Sequence, residues 1–308
     1  MRLHAAVVVG SMFVCVPLAA HGQAYVDEPN SLSANLGYTY APSGKIVGEL
    51  IDVPATDMFI HILTTGLDYT TPVDGLQVEA ELALVGVKLG EDDFTHLPAP
   101  GEYDDGDLHF TPQDVKAGLR YQIKPIEPYL GLSFSVHGSM PTHEYPTSGY
   151  VAPGHHLKAL YLGAAIARPF DPLLPDLFFH AEYTYALRER LDVDETTEEL
   201  SRNFSDISGG LGYFLPWNLT IGADIFVHVS HGGLDLDNIN FITDSQLNYH
   251  DQLLDEDFTL AGGSLTYTAN DRLDITGSFR LFVRDVFVSS QNTRNANLYG
   301  LSVSYKIL

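Results

Sequence analysis

The sequence predicts an all-β chain: a transmembrane, antiparallel up-and-down β-barrel of about twelve strands, with short periplasmic turns and long acidic extracellular loops. Three observations predict it. Apolar residues alternate with polar or small ones along segment after segment, which is the two-residue period of a strand with two different faces. Short and long connections alternate along the chain, as they do in barrels of the bacterial outer membrane. Finally, an export signal is present, yet nothing after it resembles the roughly 18 consecutive apolar residues of a membrane-spanning helix.

The N-terminus is processing information. Arg2 precedes an apolar run over residues 5–20, and Gly22-Gln23-Ala24 then forms a small-x-small site. This is a secretory signal peptide over 1–24, which leaves residues 25–308 as the mature barrel of a Gram-negative envelope protein. The one cysteine, Cys15, lies inside the signal, and Met12-Phe13-Val14 before it does not make a lipoprotein cleavage site. The mature chain therefore has no disulfide and no cysteine metal site. A mean hydropathy of zero suits a barrel, in which only alternate residues meet lipid. The formal charge of −24 argues against nucleic acid as a partner, because phosphate binding needs clustered Lys and Arg.

The first strand, 31–40, reads S-L-S-A-N-L-G-Y-T-Y, with Leu32, Ala34, Leu36, Tyr38 and Tyr40 on the lipid side. A loop containing Pro42, Gly44 and Pro54 follows. The second strand, 57–71, places Phe59, Leu63, Leu67 and Tyr69 on one face, then turns at Pro72-Val73-Asp74-Gly75. The third, 76–88, sets Leu76, Val78, Ala80, Leu82 and Leu84 against Gln77, Glu79 and Glu81. After a long acidic loop, Val115, Leu119, Tyr121 and Ile123 oppose Lys116, Gly118, Arg120 and Gln122. Leu130, Leu132, Phe134 and Val136 oppose Gly131, Ser133, Ser135 and His137. Leu160, Leu162 and Ile166 oppose Tyr161, Gly163 and Ala165, and Phe179, Tyr183 and Tyr185 oppose His180, Glu182 and Thr184. Ile207, Leu211 and Tyr213 carry a small-residue strand. Leu219, Ile221 and Ile225 oppose Thr220, Asp224 and His228. A weaker strand runs over 258–269, and Leu273, Ile275, Phe279 and Leu281 oppose Asp274, Thr276, Ser278 and Arg280. The closing strand, 297–308, ends the chain with Tyr299, Leu301, Val303, Tyr305 and Ile307 on one face.

Aromatic residues gather at both ends of these strands. Tyr69, Tyr121, Tyr129, Phe179, Tyr213, Trp217, Tyr267 and Tyr305 lie beside the short links or the C-terminus; Tyr38, Tyr40, Tyr183, Tyr185, Phe258 and Tyr299 lie towards the long loops. Two girdles of amphipathic rings are expected at the two membrane–water interfaces.

Three stretches carry a resemblance. D-V-K-A-G-L-R-Y-Q-I over 114–123, the segment 130–145 ending M-P-T-H-E-Y, and the terminal Y-G-L-S-V-S-Y-K-I resemble the outer-membrane transporter family associated with the meta-pathway of phenol degradation. The resemblance implies uptake of small, often aromatic or hydrophobic compounds and carries over no site residue. One departure stands at the end: Ile307 replaces the usual terminal aromatic, and Leu308 extends beyond the alternation. The barrel assembly machinery would read a weaker signal there.

Passage or binding of small-molecule solutes is the function this pattern suggests, with outer-membrane lipid and lipopolysaccharide as surroundings and no cofactor. The lumen should be lined by Glu79, Glu81, Glu182, Asp224 and Asp274, facing Lys116, Arg120, Lys158, Arg280 and Arg284. Such inward charges either pair and plug a narrow barrel or line a water-filled path. An alternative is an envelope-lipid ester hydrolase. His228 and Ser230 share a face at a strand end, as in a His-activated serine, and Asn238 or Asn240 could orient the imidazole. Polar lumen lining is the plainer account of both residues, and His231 stands where families of that kind have Asn. A third alternative is a structural or adhesive barrel without transport. His143, His155 and His156 surround Glu144 without diagnostic metal spacing. Asp104-Asp105-Gly106-Asp107 and Asp235-Leu236-Asp237-Asn238 are incomplete calcium-loop fragments.

Overall fold

The computed structural model describes residues 24–47, 52–88, 102–103, 105–123, 130–147, 152–170, 173–190, 202–233, 255–288 and 293–308. Residues 1–23, all but the last of the expected signal peptide, lie outside them, as do Tyr129, Asn238, Asn240, Asp104 and residues 235–238. Every described strand is antiparallel to its neighbours: β1 (Leu32–Val47), β2 (Asp52–Thr70), β3 (Leu76–Lys88), β4 (His109–Ile123), β5 (Gly131–Pro141), β6 (Ala159–Phe170), β7 (Leu174–Arg188), β8 (Asn203–Leu215), β9 (Leu219–His231), β10 (Asp257–Asn270), β11 (Leu273–Val283), β12 (Thr293–Ala296) and β13 (Leu298–Lys306). β12 and β13 are separated by Asn297 and both run along β1, so they are two halves of one wall strand. That gives twelve, and the ring closes because Leu36 of β1 pairs with Thr65 of β2 on one side and Val303 of β13 on the other.

Closure leaves no sheet edge, which is what a sheet needs in lipid, where an unpaired backbone group has no water to bond. The outward face carries the predicted apolar set. Leu36, Leu119 and Leu301 are each half exposed, and Phe134, Tyr183 and Phe279 are similarly bare. A continuous apolar belt of this extent has no stable place in water. Inward positions are polar and buried instead: Ser33, Gln77, Arg120, Ser135, Thr220, Thr266 and Arg280. The chain is thus a barrel of the outer-membrane type.

Several boundaries differ from expectation. Pro42, Gly44 and Pro54 sit within β1 and β2, which continue as a hairpin beyond the first strand's alternating segment, with a register shift between Ser43 and Lys45. β4 begins at His109, and a bulge of β4 between Pro112 and Val115, opposite Leu82–Leu84 of β3, absorbs the break in alternation there. Phe258 is the clearest correction to the girdles. It is fully buried and faces inward, packed with Phe226 and Leu260.

The turn between β8 and β9 carries its own strain. Trp217 and Asn218 both have positive φ, 66° and 59°, as the two central residues of a tight hairpin require. Asn tolerates that conformation; a bulky Trp does so at a cost of about 1–2 kcal/mol. Trp217 is largely exposed at the end of the wall, where an indole anchors at the lipid headgroups. Trp217→Gly should therefore raise the urea midpoint of the barrel in detergent micelles, where the anchor has little to hold. An unchanged or lower midpoint would show that the turn is not strained.

Candidate functional site: the barrel lumen

The inward side chains enclose a cavity of about 550 Å3. Of the residues expected to line it, Glu79, Glu81, Lys116, Arg120, Glu182, Asp224, Asp274 and Arg280 do so. Lys158 and Arg284 do not. Lys158 precedes β6 and shares its parity with outward Leu160; its amine is exposed at the rim, 3.6 Å from Glu189. Arg284 has inward parity, but β11 ends one residue earlier, and the guanidinium pairs with Asp285 in the following turn, 3.5 Å away.

Three levels can be distinguished. At the periplasmic end, residues 24–28 cross from the start of β1 towards β4–β6. Ala24 packs on Ala165 and Ala167, the Tyr25 hydroxyl donates to the Ala167 carbonyl at 3.1 Å, and the Val26 N–H donates to Gln122 at 2.9 Å. Gly131 makes room for the Tyr25 ring, because any Cβ there would collide with it. Burial pushes the Tyr25 hydroxyl pKa upwards. This segment narrows the lumen on that side, and Ala24, Tyr25 and Asp27 line the cavity.

In the middle, Glu79 accepts from the Arg120 guanidinium at 2.6 Å and from His137 Nε2 at 2.6 Å. His137 reaches it by lying across Gly118, where a Cβ would meet both the His137 ring and the Val136 carbonyl. Asn35 donates to Asp68 at 2.6 Å, and Arg280 donates to Asp224 at 2.7 Å. Thr266 and Thr276 bond each other at 2.8 Å. These pairs run between adjacent or next-but-one strands and remain on the wall.

At the extracellular end, the segment 152–158 between β5 and β6 is fastened to the wall. Ala152, His155 and Leu157 are buried, and Gln113 donates to the Pro153 carbonyl. The Tyr145 hydroxyl donates to Asp114 at 2.6 Å and accepts from the His156 N–H at 2.8 Å. Burial, with Asp114 next to it, holds that phenol's pKa well above its ordinary value. Arg202 bridges three elements: Nη1 donates to His155 Nδ1 at 2.9 Å and Nη2 donates to Glu256 at 2.7 Å.

His228 and Ser230 both face inward and are buried, but their bonds go elsewhere. His228 Nδ1 donates to Asp206 at 2.7 Å, and its ring stacks on Phe258 with centroids 5.0 Å apart. Ser230 Oγ donates to the Glu256 carbonyl at 3.0 Å and accepts the Glu256 N–H at 3.1 Å. A His–carboxylate pair is present, and the nearby serine is occupied with backbone. His143 bonds Thr111, while His156 lies 3.6 Å from an exposed Glu144. Among the described residues no group of His, Cys, Asp and Glu is placed to hold a metal ion.

Sequence reasoning missed Arg188, Arg202, Asp206 and Glu256. Arg188 and Asp206 had a signal, since Arg188 continues the inward parity of Glu182 on β7 and Asp206 that of Ser208 on β8. Arg202 and Glu256 stand just before β8 and β10, outside the alternating segments, and nothing in their spacing marks them as partners.

A closed twelve-stranded wall, an apolar outer belt and a polar lumen define a porin-like outer-membrane β-barrel. No family model matches the chain, and no curated protein matches it. Among solved structures, the COG4313 outer membrane channel from Pseudomonas putida F1 is similar, with a TM-score of 0.69 at 10% identity over 93% of this chain and 98% of that one. The NanC porin gives 0.50 at 13% identity, covering 90% and 100%. The beta domain of the Bordetella autotransporter BrkA gives 0.50 at 8% identity, covering 91% and 100%. A channel, a porin and an autotransporter domain share this architecture, so the likeness speaks for fold.

Proposed function

We propose that the protein is a passive outer-membrane channel for small solutes, including aromatic ones. One observation carries this: the lumen holds a cavity of about 550 Å3 in which the Arg120–Glu79 and Arg280–Asp224 pairs run along the wall rather than across the middle. A row of rings on the extracellular half supports the aromatic part. Tyr161, Phe204, His228 and Phe258 follow one another with centroid separations of 6.2, 4.8 and 5.0 Å. Planar solutes can exchange stacking contacts along such a series. The test is planar-bilayer recording of the purified barrel, where discrete conductance steps are expected; a silent, correctly folded barrel would overturn the proposal.

The His228–Asp206 pair keeps an envelope-lipid hydrolase as the second reading, with Ser230 as its nucleophile. Ser230 is better described as a fastener of the strand end. Ser230→Ala should cost about 1–3 kcal/mol by leaving the backbone groups of Glu256 without partners, and should not change lipid turnover. Labelling of Ser230 by a serine-directed fluorophosphonate would favour the enzyme instead.

A further inference from the structure

We propose that Lys116, Arg188, Tyr161 and Phe204 form a binding subsite for aryl carboxylates in the extracellular half of the lumen. The inference deepens the channel reading by naming a solute class and a place for it.

The argument begins with how the cations along the cavity are used. Arg120, Arg202 and Arg280 each donate to a carboxylate at 2.6–2.7 Å. Lys116 and Arg188 also line the cavity but rest on rings. Lys116 Nζ stands 4.6 Å above the centre of Tyr161, and the Arg188 guanidinium carbon stands 4.5 Å above Phe204. The two rings pack edge to face, 6.2 Å apart at 69°. Two cations over two adjoining rings thus share one stretch of wall.

A second observation points to a ligand. Arg188 Nη1 is buried and has no hydrogen-bond partner. A buried donor left unmade is destabilising, and a guanidinium edge is shaped for the two oxygens of a carboxylate. A cation–π contact holds such a group loosely, so it can turn to an incoming anion. The carboxylate would meet Arg188 and Lys116, while the solute's own ring would lie against Tyr161 and Phe204. A chloride ion would use the charge and leave the rings uncovered; a neutral aromatic would use the rings alone.

Nearby acids set the strength. Glu81 is the cross-strand partner of Lys116, Glu182 is within electrostatic reach of Lys116, and Asp114, accepting from Tyr145, is within reach of Arg188. All three reduce the local positive potential, so binding should be weak, with a Kd in the millimolar range. Weak binding suits a passage, because a solute must leave as readily as it enters.

The test uses the mature barrel refolded in detergent, with benzoate as the probe in equilibrium dialysis and saturation-transfer NMR. Benzoate should bind at least ~5-fold more tightly than benzyl alcohol or cyclohexanecarboxylate. Arg188→Met and Lys116→Met should each weaken it by a similar factor, and Phe204→Leu should remove the preference over cyclohexanecarboxylate. Lys158→Met, at the exposed rim, should change nothing. Arg188→Lys, which keeps the charge but not the fork, should fall between and covers the case in which Arg188→Met does not fold. Equal binding of the three probes, or benzoate binding indifferent to Lys116 and Arg188, would overturn the subsite. Conductance is recorded separately without benzoate. An open channel that ignores benzoate sinks this subsite alone, whereas a silent barrel that binds benzoate sinks only the channel.

Discussion

Glu256→Ala should unfasten the extracellular mouth and produce one of the largest stability losses of any single substitution in the barrel. The side chains of Arg202 and Glu256 are only 2% and 3% exposed, with N and O 2.7 Å apart. Breaking such a pair by removing one partner costs about 3–5 kcal/mol, because the remaining charge stays buried without compensation. The consequence is local in origin. Arg202 stands immediately before β8, Glu256 immediately before β10, and His155 belongs to the segment leading into β6. Three wall strands are therefore pinned through one guanidinium. Glu256→Ala should lower the temperature at which the barrel loses heat-modifiable migration, and should raise the conductance and its fluctuation by releasing segment 152–158 from the wall. Glu256→Gln keeps an acceptor and should lose less. A Glu256→Ala barrel with unchanged thermal stability and conductance would show that the mouth is held by other contacts.

Much of this wall was legible because β-structure writes itself with a period of two. Closing strand β13 is the simplest case: Tyr299, Leu301 and Tyr305 are exposed on the outer face, as their alternation with Gly300, Ser302 and Ser304 implies. Two misplacements, unlike that of Arg284, come from neglecting parity. Nearness to a loop suggests a girdle position for Phe258, yet it shares even numbering with inward Thr266 on the same strand. A lumen position for Lys158 ignores that it shares parity with outward Leu160. Consistent use of the pleat would have corrected both.

The site was less legible for a different reason. Alternation says which face a residue occupies, but not which residues meet across tilted strands. Lys116 and Tyr161 lie on β4 and β6, with β5 between them, and Phe204 on β8 is separated from Tyr161 by β7. Their approach depends on strand tilt and shear, which are properties of the closed ring and not of any one segment. The hydrolase motif shows the same limit. His228 and Ser230 do share a face, but the partners that decide their roles, Asp206 and the Glu256 backbone, arrive from neighbouring parts of the ring.

Arg120→Leu tests whether the central charge network is structural in the same sense. Arg120 is buried and gives its Nε–H to Glu79 at 2.6 Å, while a second carboxylate, Asp68, lies on the adjoining strand in register with Glu79. Removing the guanidinium leaves these carboxylates facing each other, with His137 as the remaining donor to Glu79. A loss of about 3–5 kcal/mol is expected, read from urea unfolding in micelles. The double variant Arg120→Leu with Glu79→Leu separates two explanations. If the single loss comes from a stranded charge, the double variant should recover most of it, because apolar residues of similar volume often replace a buried pair at little cost. If the network instead holds strands β3, β4 and β5 in place through its directed bonds, the double variant should stay as unstable as the single one. Recovery is expected here, because thirteen backbone-paired segments already fix the register and the ring closes without the side chains. The network would then belong to the lumen's chemistry more than to the wall's integrity.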